Sequence, residues 1–192
     1  MLKRVHIIGL GLMGTNLGIK LVNGGIQVSG DDILEKNIIR AKELGALSLE
    51  HKNSINYDLI ILAMPINEII GYFDDSPGIN SKAIVDLGGT KELICKKMDL
   101  SPIPSIGGHP LCGIADNNTW EPSPQIYEQA PFLLCETDST DEQSKAIVSE
   151  FIKCIESKEI WIKPKKHDEL ISLTSHLPHM LSSALVSLAM KE

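Results

Sequence analysis

Val5-His6-Ile7-Ile8-Gly9-Leu10-Gly11-Leu12-Met13-Gly14 is the stretch whose reading decides the fold. Residues 5–8 form a short apolar, β-branched run that stops at a glycine, the pattern of a buried parallel strand. Gly9, Gly11 and Gly14 then make G-x-G-x-x-G. In this arrangement Gly9 permits a tight turn, Gly11 lets the backbone approach a pyrophosphate, and Gly14 lets a helix pack close against the strand. The spacing predicts that helix over residues 13–22, with Gly18 extending its small face and Asn23-Gly24-Gly25 as its stop. Leu12 and Met13 open it, so its free N–H groups and positive dipole end face the phosphates. A second strand, residues 26–30, leads to Asp32, which lies 23 residues beyond Gly9. A carboxylate there accepts hydrogen bonds from an adenosine ribose, and Asp32 is assigned that role in preference to Asp31. No arginine adjoins Asp32 to receive a 2′-phosphate, so NAD is expected rather than NADP. A glycine turn without any ligand is the plain alternative.

Working outward, a helix is expected over residues 33–44 and buried strands over 59–63 and 83–85. Strand and helix alternate at βαβ spacing, which predicts an α/β fold: a doubly wound parallel sheet with the cofactor at the carboxyl ends of its strands. Residues 102–129, rich in Pro, Gly and Asn, read as one long functional loop. Strand character returns at 132–134, followed by an amphipathic helix at 144–155 and a short strand at 160–162. Lys163-Pro164-Lys165-Lys166 reads as a solvated turn. Residues 167–190 read as one apolar-rich helix packed across the cofactor cleft, with Pro178 either kinking it or starting a new one. The expected division is a dinucleotide-binding domain at 1–163 and a helical segment at 164–192.

Composition narrows the class. The chain has 192 residues, 43% hydrophobic and 22% charged, which suits a globular domain. Aromatic residues make up only 4%, so the core is aliphatic. A net charge of −7 argues against a nucleic-acid surface, which is normally basic. Cys95, Cys112, Cys135 and Cys154 form no C-x-x-C pair and read as reduced thiols in a cytoplasmic protein. The apolar run after Lys3 and Arg4 stops at Gly9, too short for a signal peptide or a membrane span.

Histidines supply the candidate chemistry. His109 stands in Gly107-Gly108-His109-Pro110-Leu111-Cys112-Gly113, where two glycines let the backbone approach a ligand and a proline stiffens the turn. In Ser175-His176-Leu177-Pro178-His179 two imidazoles three residues apart share a helix face. A redox cofactor with converging histidines points to an oxidoreductase with a proton-accepting base. The bland readings are a hydrogen-bonded loop histidine and two packing histidines. His109, His176 and His179 could also offer three nitrogens to zinc, but nothing nearby matches a zinc signature and no metal is expected.

At Asp86-Leu87-Gly88-Gly89-Thr90-Lys91, at His109–Gly113 and at His176–His179 the chain resembles the prephenate/arogenate dehydrogenase family of tyrosine biosynthesis. His167-Asp168, Tyr127-Glu128-Gln129-Ala130-Pro131 and the segment from Tyr57 to Ala63-Met64-Pro65 agree with it. The resemblance implies NAD-dependent oxidative decarboxylation of prephenate to 4-hydroxyphenylpyruvate, or of arogenate to tyrosine. It implies that His109 is the base and that Ser175, His176, His179 and Gly89 lie at the substrate wall. Ala63, Pro65 and Asp86 join the cofactor wall, and a homodimer is expected. Two departures stand out. Gly89 replaces a family serine, leaving Thr90 as the available hydroxyl, and Ala115 stands where the family often has an acid, with Asp116 adjacent. The chain also ends at Glu192, soon after the histidine helix begins, as expected of a short or truncated form. It has no arginine after Arg40, so a substrate carboxylate must find a lysine, a helix N-terminus or a partner subunit. A related dehydrogenase or reductase acting on another small acid, or a non-catalytic NAD-binding paralogue, are the competing readings.

Overall fold

A computed structural model describes residues 1–52, 55–75, 78–113 and 121–190. Ala115 and Asp116 lie outside the described residues. The strands are β1 (Arg4–Ile8), β2 (Gln27–Asp31), β3 (Leu59–Leu62), β4 (Ile84–Asp86), β5 (Ser105–Pro110), β6 (Pro131–Cys135) and β7 (Lys158–Trp161). They form one sheet in the order β2-β1-β3-β4-β5-β6-β7. The helices are α1 (Leu12–Asn23), α2 (Glu35–Glu43), α3 (Ile66–Asp75), α4 (Glu92–Met98), α5 (Glu142–Cys154), α6 (Pro164–Ile171) and α7 (Leu177–Ala189).

This is the dinucleotide-binding, doubly wound α/β fold. From β1 the chain goes first to β2 on one side and later to β3 on the other. The crevice between those crossovers is the switch point where such sheets bind ligands. Leu59, Ile60, Ile61 and Leu62 are all fully buried, as expected for a strand with helices on both faces. α5 begins with a capping box in which Asp141 accepts from the Ser144 N–H at 2.7 Å.

Three features differ from the sequence expectation. The sheet is parallel except between β5 and β6, where Gly107 to Pro110 run antiparallel to Cys135 to Phe132. The region that reads as a single loop, 102–129, contains β5 near its start. Its Ser-Ile-Gly-Gly-His-Pro sequence lacks strand propensity because close packing selected the glycines. A Cβ on Gly107 would lie 2.7 Å from Cys95 Sγ, and one on Gly108 would lie 2.4 Å from the Asp86 carbonyl oxygen. These glycines therefore admit neighbouring protein atoms, where a ligand was expected.

The C-terminal helix differs most. Its helical path is continuous as expected, running from α6 through a π stretch at Ser172–His176 into α7 with αR backbone at both junctions; what differs is its packing. Pro178 therefore sits inside the helical run, two residues past the π stretch, which is the local irregularity that lets a helix interior accommodate a proline. Every residue from Ser172 to Met190 is exposed. Leu173 is 66% exposed, Leu181 57% and Leu185 67%. The segment thus projects from the sheet domain and does not pack across the cleft, because α7 meets no apolar sheet face. No described helix is long and apolar enough to cross a membrane.

Candidate active site

The glycine turn follows β1 as the sequence predicts. Gly9 adopts φ +98°, a conformation that favours glycine. A Cβ on Gly14 would sit 1.9 Å from the Gly9 carbonyl oxygen, so only hydrogen allows α1 to approach the turn this closely. Gly11 is different: a Cβ there would meet nothing within 4 Å. The backbone at Gly11 is open ground in front of α1, and α1 has no side-chain cap on its first N–H groups. An unfilled approach beside uncapped donors fits a pyrophosphate.

Gly9, Gly11, Asp32, Ala63 and Pro65 line one cleft of about 520 Å³ at the carboxyl edge of the sheet. Asp32 is fixed at its floor, accepting from the Leu10 N–H at 2.7 Å and the Leu34 N–H at 2.8 Å. An ionised carboxylate offers about four lone-pair sites, so acceptor capacity remains for ribose hydroxyls. The backbone of Met13 is committed elsewhere, its carbonyl accepting from the Tyr127 hydroxyl at 2.9 Å. Leu12, Met13 and Gly14 do not line the cleft; they supply its helix.

Asp86 is not a cofactor-facing group. Its side chain is fully buried, accepting from the Gly108 N–H at 2.9 Å and the Gly88 N–H at 2.8 Å. It is also ion-paired with Lys91, itself without exposed side-chain surface. Lys91 Nζ donates in addition to the Gly108 carbonyl at 2.8 Å. The pair ties β4, the turn after it and β5 into one rigid unit directly beneath His109. The sequence carried both residues in one short run, but the spacing alone gave no sign that they pair inside the protein.

His109 is half-buried near the end of β5, opposite Leu133 of β6. Its Nδ1 lies 2.9 Å from His167 Nε2. Its other nitrogen, Nε2, is turned toward Gly89: a Cβ placed there would lie 3.9 Å from it. Thr90 is half-buried next in sequence. Burial, reinforced by neighbouring His167 and Lys91, pushes the His109 imidazolium down to about 4. His109 is consequently neutral at physiological pH and has a lone pair to offer.

His167 comes from α6 and is fully buried. Its Nδ1 lies 2.7 Å from Asp168 Oδ1. Asp168 in turn accepts from the backbone N–H groups of Lys91 at 2.7 Å and Glu92 at 2.9 Å, at the start of α4. His176 stands close enough to contribute electrostatically to the lowering of His109. Ser175, His176 and His179 border an open groove with Pro178 and Met180. The structure therefore brings His109, Gly89 and His167 together, with His176 near enough to act on His109, and leaves Ser175 and His179 on the open groove of the exposed C-terminal segment.

Comparison with known proteins identifies the family. A family model described as prephenate dehydrogenase, nucleotide-binding domain, matches residues 17–160. A second, described as prephenate dehydrogenase, dimerization domain, matches residues 163–192. The prephenate dehydrogenase of Lactococcus lactis subsp. cremoris is 32% identical over 199 residues, covering 96% of this chain and 53% of that protein. The prephenate dehydrogenase of Bacillus subtilis is 26% identical, covering 95% of this chain and 52% of that protein. The chain thus spans about half the length of the curated relatives it matches. Among solved structures, an Aquifex aeolicus prephenate dehydrogenase in complex with hydroxyphenyl propionate and NAD+ superposes with a TM-score of 0.88 at 23% identity. That match covers 100% of this chain and 70% of the other. A Synechocystis arogenate dehydrogenase gives 0.79 at 24%, covering 98% and 70%. At these identities the structural likeness shows the fold.

Proposed function

Since the chain belongs to the prephenate dehydrogenase family, we propose that it catalyses the NAD-dependent oxidative decarboxylation of prephenate or arogenate. The observation that carries this reading is the position of His109: a neutral imidazole whose Nε2 faces the space at Gly89. It stands on the same carboxyl edge of the sheet as the glycine cleft. NAD, when bound, supplies the hydride acceptor. Gly9, Gly11 and the start of α1 hold its phosphates, Asp32 its ribose, and Ala63 and Pro65 form the opposite wall.

His109 Nε2 takes the proton of the substrate hydroxyl as the hydride leaves the same ring carbon. The ring carboxylate departs as carbon dioxide, the electron pair of the broken bond makes the ring aromatic, and the phenolate oxygen so formed takes back a proton, leaving His109 neutral. At Gly89 the substrate hydroxyl has direct access to the imidazole, with Thr90 as the nearby side-chain hydroxyl. Ser175, His176 and His179 are assigned to the substrate as polar groups of the open groove on the exposed C-terminal segment, His176 being the one that acts on His109. A lysine, a helix N-terminus or a partner subunit supplies the cation for the substrate's second carboxylate.

Turnover of prephenate and of arogenate, each with NAD and with NADP, tests the reading. Turnover of at least one substrate is expected, faster with NAD, because the Asp32 carboxylate repels a 2′-phosphate. Asp32→Ser should narrow that preference by weakening NAD and admitting NADP. Tighter NADP binding by the parent protein would overturn the ribose assignment. Binding of NAD without turnover of either substrate would overturn the reaction.

The working division is a dinucleotide-binding domain at 1–163 and a helical dimerisation segment at 164–192, in a cytoplasmic homodimer. Support for the dimer is the leucine-rich exposed face of α7, where Leu177 is 48% and Leu188 64% exposed. Apolar surface of that extent marks an interface, and a two-fold pair is its commonest solution. Light scattering at tens of micromolar should give twice the chain mass; a monomer there would refute it. Cys95, Cys112, Cys135 and Cys154 are unpaired, which suits a reducing compartment.

A further inference from the structure

We infer that His167 and Asp168 are positioning residues that fix which nitrogen of His109 carries the proton. The inference rests on the reading of His109 as the base and goes one step behind it. Asp168 is the fixed end of the chain. Burial would raise its carboxyl, but the N–H groups of Glu92 and Lys91 and the His167 ring outweigh burial and hold it below the usual carboxylate range. An ionised carboxylate only accepts hydrogen bonds. The His167 Nδ1 facing Asp168 Oδ1 at 2.7 Å must therefore carry a hydrogen.

Burial holds His167 below its ordinary value despite the opposing carboxylate, so the ring is neutral and has a single N–H. With that hydrogen on Nδ1, His167 Nε2 has a lone pair and can only accept. The atom 2.9 Å from it is His109 Nδ1, which must donate. A neutral His109 with its hydrogen on Nδ1 has its lone pair on Nε2, the nitrogen facing Gly89. Each link leaves one choice to the next. The opposite tautomer would place two lone pairs against each other at the buried contact and leave no acceptor for the substrate proton.

The device also joins two parts of the chain. His167 and Asp168 belong to α6, within the residues that match the dimerization-domain model, whereas His109 lies in the sheet. Asp168 serves at once as the partner of His167 and as the acceptor for the first N–H groups of α4. Among the described residues, the charged and titratable groups that act on His109 are His167 and Asp168 on α6, Lys91 before α4, and His176 in the π stretch. Among these described residues, Asp168 is the one that supports a positive charge on His109. When His109 takes the substrate proton, its Nδ1–H stays on His167 and the carboxylate stabilises the new cation.

Nitrogen-15 NMR of histidine-labelled protein reads the tautomer without substrate, so its outcome does not depend on the proposed reaction. In the parent protein near neutral pH, His109 Nδ1 should show the protonated and Nε2 the unprotonated nitrogen shift. His167→Leu should convert this into a mixture of tautomers. His167→Gln, which offers a carbonyl oxygen to His109 and an NH₂ to Asp168, should restore the parent pattern. In turnover, His167→Leu should lose about 10–100-fold in kcat, the cost typical of removing a partner that orients a functional histidine. His167→Gln should recover most of that loss, with little change in KM for NAD. Asp168→Ala should move the acid limb of kcat/KM to lower pH, because the charge favouring the His109 cation is gone. An unprotonated Nδ1 on His109 in the parent protein would overturn the proposal, even if a variant failed to fold. So would a folded His167→Leu variant with the parent tautomer and pH profile.

Discussion

Replacement of His109 by asparagine is expected to lower kcat by about 10²–10⁴-fold, the usual contribution of a positioned general base. NAD affinity should stay nearly unchanged, because the cleft of Gly9, Gly11 and Asp32 does not include His109. The asparagine amide can still hydrogen-bond His167 but cannot accept a proton. Steady-state kinetics beside NAD titration separates the two effects. His109 is held at about 4 chiefly by burial, so the parent activity should remain flat well below pH 6.5 until the imidazole protonates. His179→Asn makes the contrast: an exposed group on α7 that binds substrate equally in ground and transition states raises KM and spares kcat. Parent-like kcat in the His109 variant, on whichever substrate the parent uses, would remove the base from the mechanism.

Replacement of Lys91 by methionine should have the largest effect on stability. Lys91 and Asp86 have no exposed side-chain surface, and each also bonds the backbone of Gly108. Removing one partner strands a buried charge, which costs about 3–5 kcal/mol. For a chain of this size that corresponds to a fall in melting temperature of roughly 10 °C. Replacing both at once, Lys91→Met with Asp86→Asn, should recover part of the loss, since no unpaired charge then remains. A thermal melt of the single variant within a degree of the parent would show that the pair carries no such weight. The same variant should also loosen β5 beneath His109, so its kcat should fall with its stability.

Local sequence determined the nucleotide half of this protein. Gly9 and Gly14 answer to backbone geometry and Asp32 to short-range spacing, so the tight turn, and the cleft that Gly9, Gly11 and Asp32 share, could be read from a single run and an acid after the next strand. The aliphatic strands were legible for the same reason: β3 is buried on both faces, and its four residues say so by composition. The exposed leucines of α7 were legible as apolar but not as unpartnered. Whether a face is covered depends on what lies opposite, and here the sheet offers it nothing. β5 stayed hidden because its glycines answer to Cys95 and Asp86 across space, not to strand propensity. The pairing of Asp86 with Lys91 and the contact of His109 with His167 were decided by the tertiary structure alone. His109 and His167 are 58 residues apart, and no periodicity links an antiparallel strand end to a helix that crosses above it. Sequence named the imidazole; only the folded arrangement of His167 and Asp168 decides which of its nitrogens is free to act.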